Sequence, residues 1–199
     1  MTRRRRYADA GQAFPIYITV VAGLLFLALA YLAVGQAAVN RSGAQTAADA
    51  AALAAAQKTR DQLASRWVED VLDPTKWQDI FDGKGGLNSC WRANELAAQN
   101  SAHLDGKGCQ WDGAFRYTVD VKTDKSVGDS IVPGTEDRHS RASAVAVIKP
   151  LCKPKPSDGD AGHKTLPQLI CKDRKWDLNP DHLTDLPRPE DLFDVHLAD

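Results

Sequence analysis

The chain has 199 residues, 43% of them hydrophobic and 26% charged, with 25 Lys and Arg against 26 Asp and Glu and a formal net charge of −1. That near-balance hides an asymmetry: Arg3, Arg4, Arg5 and Arg6 form the one dense basic run, and residues 10–199 hold 21 basic and 25 acidic residues. Because the only dense basic run abuts an apolar segment, nucleic acid is argued against as a partner.

From Ala10 to Asn40, 31 residues pass without an Asp, Glu, Lys or Arg, and the centre from Phe14 to Val34 is apolar on every face. About 20 such residues at ~1.5 Å rise cross the hydrocarbon layer of a bilayer, so residues 10–40 are predicted as a transmembrane helix with membrane lipid around it. Cationic flanks stay on the cytoplasmic side. Arg3 to Arg6 are therefore read as a topology signal in a short cytoplasmic tip, residues 1–9, with the C-terminus extracytoplasmic. A secretory signal peptide shares the basic start, but its apolar core runs for about 7 to 15 residues. This one is far longer, and retention as a single-pass anchor in the cell membrane is expected.

The helical pattern continues past the membrane. Nine of the thirteen residues from Ala44 to Ala56 are alanine, the best helix former. Leu53, Ala56, Leu63, Trp67 and Val71 then recur at three- and four-residue steps, so residues 41–72 extend the same rod to a length of ~80 Å. Small side chains let another helix approach closely, which makes Ala44, Ala47, Ala48, Ala51, Ala52 and Ala55 the candidate helix-packing residues. The plainer alternative is an Ala-rich stalk that only spaces a head from the membrane.

Two stretches carry a resemblance: Asp9-Ala10-Gly11-Gln12-Ala13-Phe14 at the entry to the apolar helix, and Gly43-Ala44-Gln45-Thr46-Ala47-Ala48-Asp49-Ala50-Ala51-Ala52-Leu53-Ala54-Ala55-Ala56 beyond it. Together they resemble the TadE/TadG-related proteins of tight-adherence (Flp) pilus assembly over roughly residues 9–66, with a weaker echo at Ala142 to Ile148. The resemblance implies a small pilin-like membrane protein, a minor pilin or assembly component rather than an enzyme. It also implies other pilin-like or pilus-assembly proteins as partners. Prepilin-type processing in such proteins uses a Gly followed five residues later by Glu; here Gly11 is followed at that distance by Ile16. The intact N-terminus is expected to remain.

Residues 73–150 are expected to form a small α+β head. Asp73-Pro74 closes the rod and opens a short helix that buries Trp77, Ile80 and Phe81. Asp82-Gly83-Lys84-Gly85-Gly86 reads as a turn, followed by a helix from about Cys90 to His103 and a second turn at Asp105-Gly106-Lys107-Gly108. Neither turn has the acidic spacing of a calcium loop or the length of a phosphate-binding loop. Phe115 to Lys122 alternates apolar and polar, the period of a half-buried strand, and Arg141 to Ile148 is a second strand. Thr123 to Ser140 is a polar loop holding Val127, Ile131 and Val132.

The four cysteines fall as Cys90 and Cys109, then Cys152 and Cys171, two pairs with one spacing of nineteen positions. An even count in an exported chain suggests disulfides; three connectivities exist, and the spacing favours sequential pairing. A zinc site would need a C-x-x-C or a paired His, and the sequence has neither. Residues 151–199, rich in proline around Asp158-Gly159-Asp160, are expected as a disulfide-tied tail. Its Trp176, Leu178, Leu183, Leu186, Leu192, Phe193 and Leu197 would lie as an extended strap over a surface.

Five scattered histidines, no Gly-x-Ser-x-Gly elbow and no dinucleotide-binding glycines leave no catalytic, cofactor or metal residue to nominate. The expected fold class is α+β: a long hydrophobic-then-amphipathic helix of pilin type, short helices, a small antiparallel sheet, disulfide staples and an extended Pro-rich tail. The function expected is that of a pilin-like single-pass subunit of a pilus-assembly apparatus acting through helix packing. The alternative is a stalked surface binding or adhesion module.

Overall fold

The computed structural model describes residues 13–113, 115–126, 137–155, 166–172, 174–183 and 185–198. Arg3 to Arg6, the processing position at Gly11, the loop residues Val127, Ile131 and Val132, and Asp158-Gly159-Asp160 lie outside the described residues.

Helix α1 (Ala13–Glu69) runs unbroken for 57 residues, about 85 Å at the helical rise. Pro15 sits in its first turn, where a missing N–H leaves no bond unmade. Three isolated glycines, each weakening a helix by about 1 kcal/mol, do not interrupt it. The two halves of α1 meet different surroundings. No residue between Phe14 and Gly43 is buried, whereas Ala44, Ala47, Ala48, Ala51, Ala52, Ala55 and Ala56 are fully enclosed.

What encloses them is a sheet from the same chain. Strands β1 (Ala102–Trp111), β2 (Arg116–Thr123) and β3 (Arg141–Pro150) pair antiparallel in that order. The chain then forms a smaller antiparallel sheet of β4 (Cys152–Lys155), β5 (Gln168–Cys171) and β6 (Arg174–Trp176), before β7 (Phe193–Leu197) returns to pair with β3. Alternate residues of β2 and β3 point at the helix: Tyr117, Val119 and Val121 from one, Ala144, Ala146 and Ile148 from the other. Both α1 and β3 bring buried alanines to the core where they pack together, and methyl-sized side chains let a helix and a sheet lie close. Farther along, Leu63 and Trp67 fill the wider space, with Trp67 set against Trp77 at a ring separation of 5.6 Å.

The segment after α1 forms a 3-10 turn (Pro74–Lys76) and then α2 (Trp77–Phe81), burying Trp77, Ile80 and Phe81. Asp73 makes no side-chain cap to that turn; its carboxylate accepts from Thr75 Oγ1 at 2.5 Å and pairs with Lys76. The hydroxyl of Thr75, more than Lys76, holds the Asp73 carboxyl below the usual range. In the glycine turn, Gly83 has φ +83°, and a Cβ there would stand 2.7 Å from the Phe115 ring, so this position requires glycine.

Two expectations are corrected. Helix α3 (Cys90–Gln99) stops short of His103, which lies in β1. Asp105-Gly106-Lys107-Gly108 is not a turn between elements but an irregularity inside that strand, since Leu104 pairs with Val121 and Cys109 with Val119. Four residues therefore stand opposite Asp120 alone, with Gly106 and Gly108 at φ +60° and +65°. Such an insertion keeps the strand on both sides in register while pushing polar residues out of it.

The Pro-rich end is a strap only in part: between Trp176 and Pro189 Leu178 is buried and Leu183 and Leu186 lie against the core without regular structure, but the chain on either side forms strands. Pro154 sits in β4, an outer strand of the small sheet, where a missing N–H is tolerated. The last residues form α4 (Pro189–Leu192) and β7, and Leu192 and Phe193 are fully buried. Phe193 packs between Phe81 and Phe115 at 5.5 and 6.4 Å. Residues expected as a tail thus complete the main sheet.

Two disulfides staple this assembly, Cys90 to Cys109 between α3 and β1, and Cys152 to Cys171 between directly paired positions of β4 and β5. Unfolding of the full-length protein in detergent tests the packing. Ala48→Leu is expected to cost about 1–3 kcal/mol by overfilling the helix–sheet contact, while Ala54→Leu, on the more open flank, stays within about 0.5 kcal/mol. Replacing Cys90 and Cys109 together by alanine is expected to remove about 3 kcal/mol, the chain-entropy value for a loop of about 20 residues.

Candidate functional site: the long helix and the head clasped to it

Between the alanine stripe and Trp67, a buried polar cluster fixes the head to α1. Thr59 is 2% exposed and Ser89 and Tyr117 are fully enclosed. Thr59 Oγ1 lies 2.7 Å from the Tyr117 hydroxyl and 3.0 Å from Ser89 Oγ, and the Tyr117 hydroxyl accepts the Ser89 N–H at 2.9 Å. Ser89 Oγ donates to the Leu87 carbonyl at 3.2 Å, and Gln62 Oε1 accepts the Leu87 N–H at 3.0 Å. Helix, loop and strand β2 meet at these hydroxyls, and each buried polar atom is partnered, as a low-dielectric interior demands. The cluster contains no imidazole, carboxylate or thiol. Nothing in it activates Ser89 or Thr59 as a nucleophile, so its role is architectural.

A second polar tie lies where α1 leaves its apolar stretch. Asn40 Oδ1 accepts from Thr123 Oγ1 at 3.1 Å and Asn40 Nδ2 donates to the Lys125 carbonyl at 3.4 Å. Other charges stay outside. Arg141 pairs with Asp105 at 2.6 Å, and its guanidinium holds that carboxyl below the usual range. Lys76 is raised by Asp70 first and Asp73 second, and Lys84 by Asp79. These pairs are largely exposed, where ion pairs stabilise little.

The structure gathers the nominated residues unevenly. Ala44, Ala47, Ala48, Ala51, Ala52 and Ala55 do form one face, but it is enclosed by the chain's own head, whose strands β2 and β3 and helix α3 all pack on α1. The sheet carries its own small residues, Ala144 and Ala146, and the contact closes within the molecule. Open surface remains on the apolar half of α1 and in a groove of about 540 Å³ between α1 and α3, lined by Ala50, Leu53, Ala54 and Trp91. Trp91 is 57% exposed there. Of the described histidines, His103 bonds Asp124, His139 the Thr123 carbonyl, and His196 Asp194. Among the described residues no group of three or more His, Cys, Asp or Glu side chains is assembled. Sequence reasoning missed Thr59, Ser89, Tyr117 and Asn40, because an isolated hydroxyl or amide carries no periodic signal; a Thr in the apolar face of an amphipathic helix was the one available hint.

One helix of the described chain is long and apolar enough to cross a membrane, and its apolar window is 0% buried, unlike the core helix of a soluble domain. Lengthened directly into the core of a disulfide-stapled head, it fits a membrane protein with a single span. Within that class, residues 11–58 match the family model described as putative Flp pilus-assembly TadE/G-like. The match runs from the start of the apolar run through the alanine stripe to Lys58, and the family is described as one of pilus assembly. No curated protein and no solved structure matches the chain.

Tyr117→Phe removes one hydroxyl and leaves the Ser89 N–H buried without its acceptor. The expected cost is about 1–3 kcal/mol in denaturant unfolding, with both disulfides intact on non-reducing gels. An unchanged midpoint would show the cluster to be dispensable.

Proposed function

We propose that the protein is a pilin-like, single-pass membrane subunit of a tight-adherence-type pilus-assembly apparatus. The observation that carries this reading is the TadE/G-like match, which spans both the apolar half of α1 and the alanine stripe on which the head folds. Arg3 to Arg6 support an orientation with the N-terminus in the cytoplasm and the head outside, where disulfides persist.

With the alanine stripe enclosed, the surfaces left for partner helices are the apolar half of α1 and its α3-side groove. Membrane helices associate through close packing rather than through hydrophobicity, which lipid already satisfies. Ala50 and Ala54 continue that small-residue character in the groove, beside Trp91. In this reading the head is a rigid collar that aligns the subunit, and assembly is made by the exposed helix.

In-cell photocrosslinking tests it. A crosslinking residue at Leu29 or Ala54 is expected to capture another pilus-assembly membrane protein, while one at the enclosed Ala48 gives only intramolecular product. Capture from Trp91 alone, with nothing but lipid at Leu29, would favour the stalked binding module instead. Alkaline phosphatase fused to the C-terminus is expected to be active; an inactive fusion would reverse the orientation.

A further inference from the structure

Where α1 emerges from its apolar stretch, the edge of the head overhangs it and leaves a groove of about 640 Å³. One end is apolar, formed by Tyr31, Leu32, Gly35 and Val39 of the helix; the other is polar, formed by Ser101 and Lys125 at the edge of the sheet. The tie from Asn40 to Thr123 and Lys125 holds the overhang in place. The groove floor is open, since a Cβ added at Gly35 would meet nothing within 4 Å.

We propose that this groove is a binding site for one anionic phospholipid, with an acyl chain along Gly35 and Val39 and the phosphate at Lys125. The inference rests on the membrane reading above. Three features point to that occupant. The apolar end is continuous with the exposed face of α1 from Phe14 to Val34, the part that lies in hydrocarbon. The polarity changes along the groove in the same direction and at the same level as in a lipid molecule, tails below and headgroup at the helix exit. Among the described residues the lining holds one cation, Lys125, and no carboxylate, so the charge complements a phosphate. A volume of this size is also that of a small-molecule site rather than of an extended protein interface. The groove ends under the head, where Asn40 and Gly43 of the helix meet Asn100 and Ser101, so it is shorter than a partner helix would need.

The bound lipid would stand between the head and the bilayer and tie them together. Its chain fills the gap that the alanine contact, ending at Ala44, leaves below the head. Lipid identity would then influence how the head is held, and through it the presentation of the exposed helix.

Native mass spectrometry of the full-length protein in dodecyl maltoside, titrated with phosphatidylglycerol or phosphatidylcholine, tests the site. The wild type is expected to take up one phosphatidylglycerol in preference to phosphatidylcholine. Lys125→Glu should weaken phosphatidylglycerol uptake by about fivefold or more and abolish the preference. Gly35→Leu should reduce uptake of both lipids by filling the floor. Intact disulfides on non-reducing gels show that each variant is folded. Equal uptake of the two lipids by the wild type, or uptake unaffected by both substitutions, overturns the proposal; a groove already filled by another helix would give the same indifference. Alkaline carbonate extraction of cell membranes separates the two readings. A chain released by carbonate ends the membrane reading, whereas a retained chain without lipid preference ends only this one.

Discussion

The contact on which the molecule depends is the packing of the alanine stripe of α1 into the head, against β3, α3 and β2. Methyl-sized side chains on the helix let these elements approach closely, and dense packing recovers in dispersion what bulk does not supply. One helix is thereby asked to serve two solvents: its first half presents large side chains outward, and its second half presents small ones to a protein core. An anchor and a core element are usually joined by a linker; here they are the same rigid rod.

That continuity constrains the head. Its orientation follows from the helix axis, and the ties at Asn40 and at Thr59 leave little rotational freedom about it. The sheet is in turn closed by β7 from the very end of the described chain, with Phe193 set between two phenylalanines of the head. The β4–β6 excursion between β3 and β7 is held by Cys152 and Cys171. The head therefore assembles from residues far apart in sequence around one local element, a topology rich in non-local contacts. The Trp67 indole N–H, buried without an acceptor, is a cost accepted for the ring's packing on Trp77.

The same constraint assigns surfaces to roles. The small-residue face that suggested a partner helix is used internally, which leaves the apolar half of α1 and the groove beside Trp91 as open surface. The overhang at Asn40 creates a further surface that is neither core nor bare helix, and its graded polarity is that of the membrane interface. The match to a TadE/G-like family model over residues 11–58 takes in both the apolar half of α1 and the alanine stripe.

The sequence by itself determined the long helix, because an uncharged run and an alanine-rich periodic run are local signals that no tertiary contact reverses. Alternation determined β2 and most of β3 in the same way, and glycine chemistry determined the turn at Gly83. Only the tertiary structure decided three things. Asp105 to Gly108 became an insertion within a strand, since turn residues read alike whether they end an element or bulge from it. Phe193 to Leu197, too short to announce a strand amid prolines, became one because β3 offered an edge to pair with. The alanine stripe found its partner in its own head: a narrow face specifies that something must come close, but which surface does so depends on residues far along the chain, and periodicity along the helix does not carry that information.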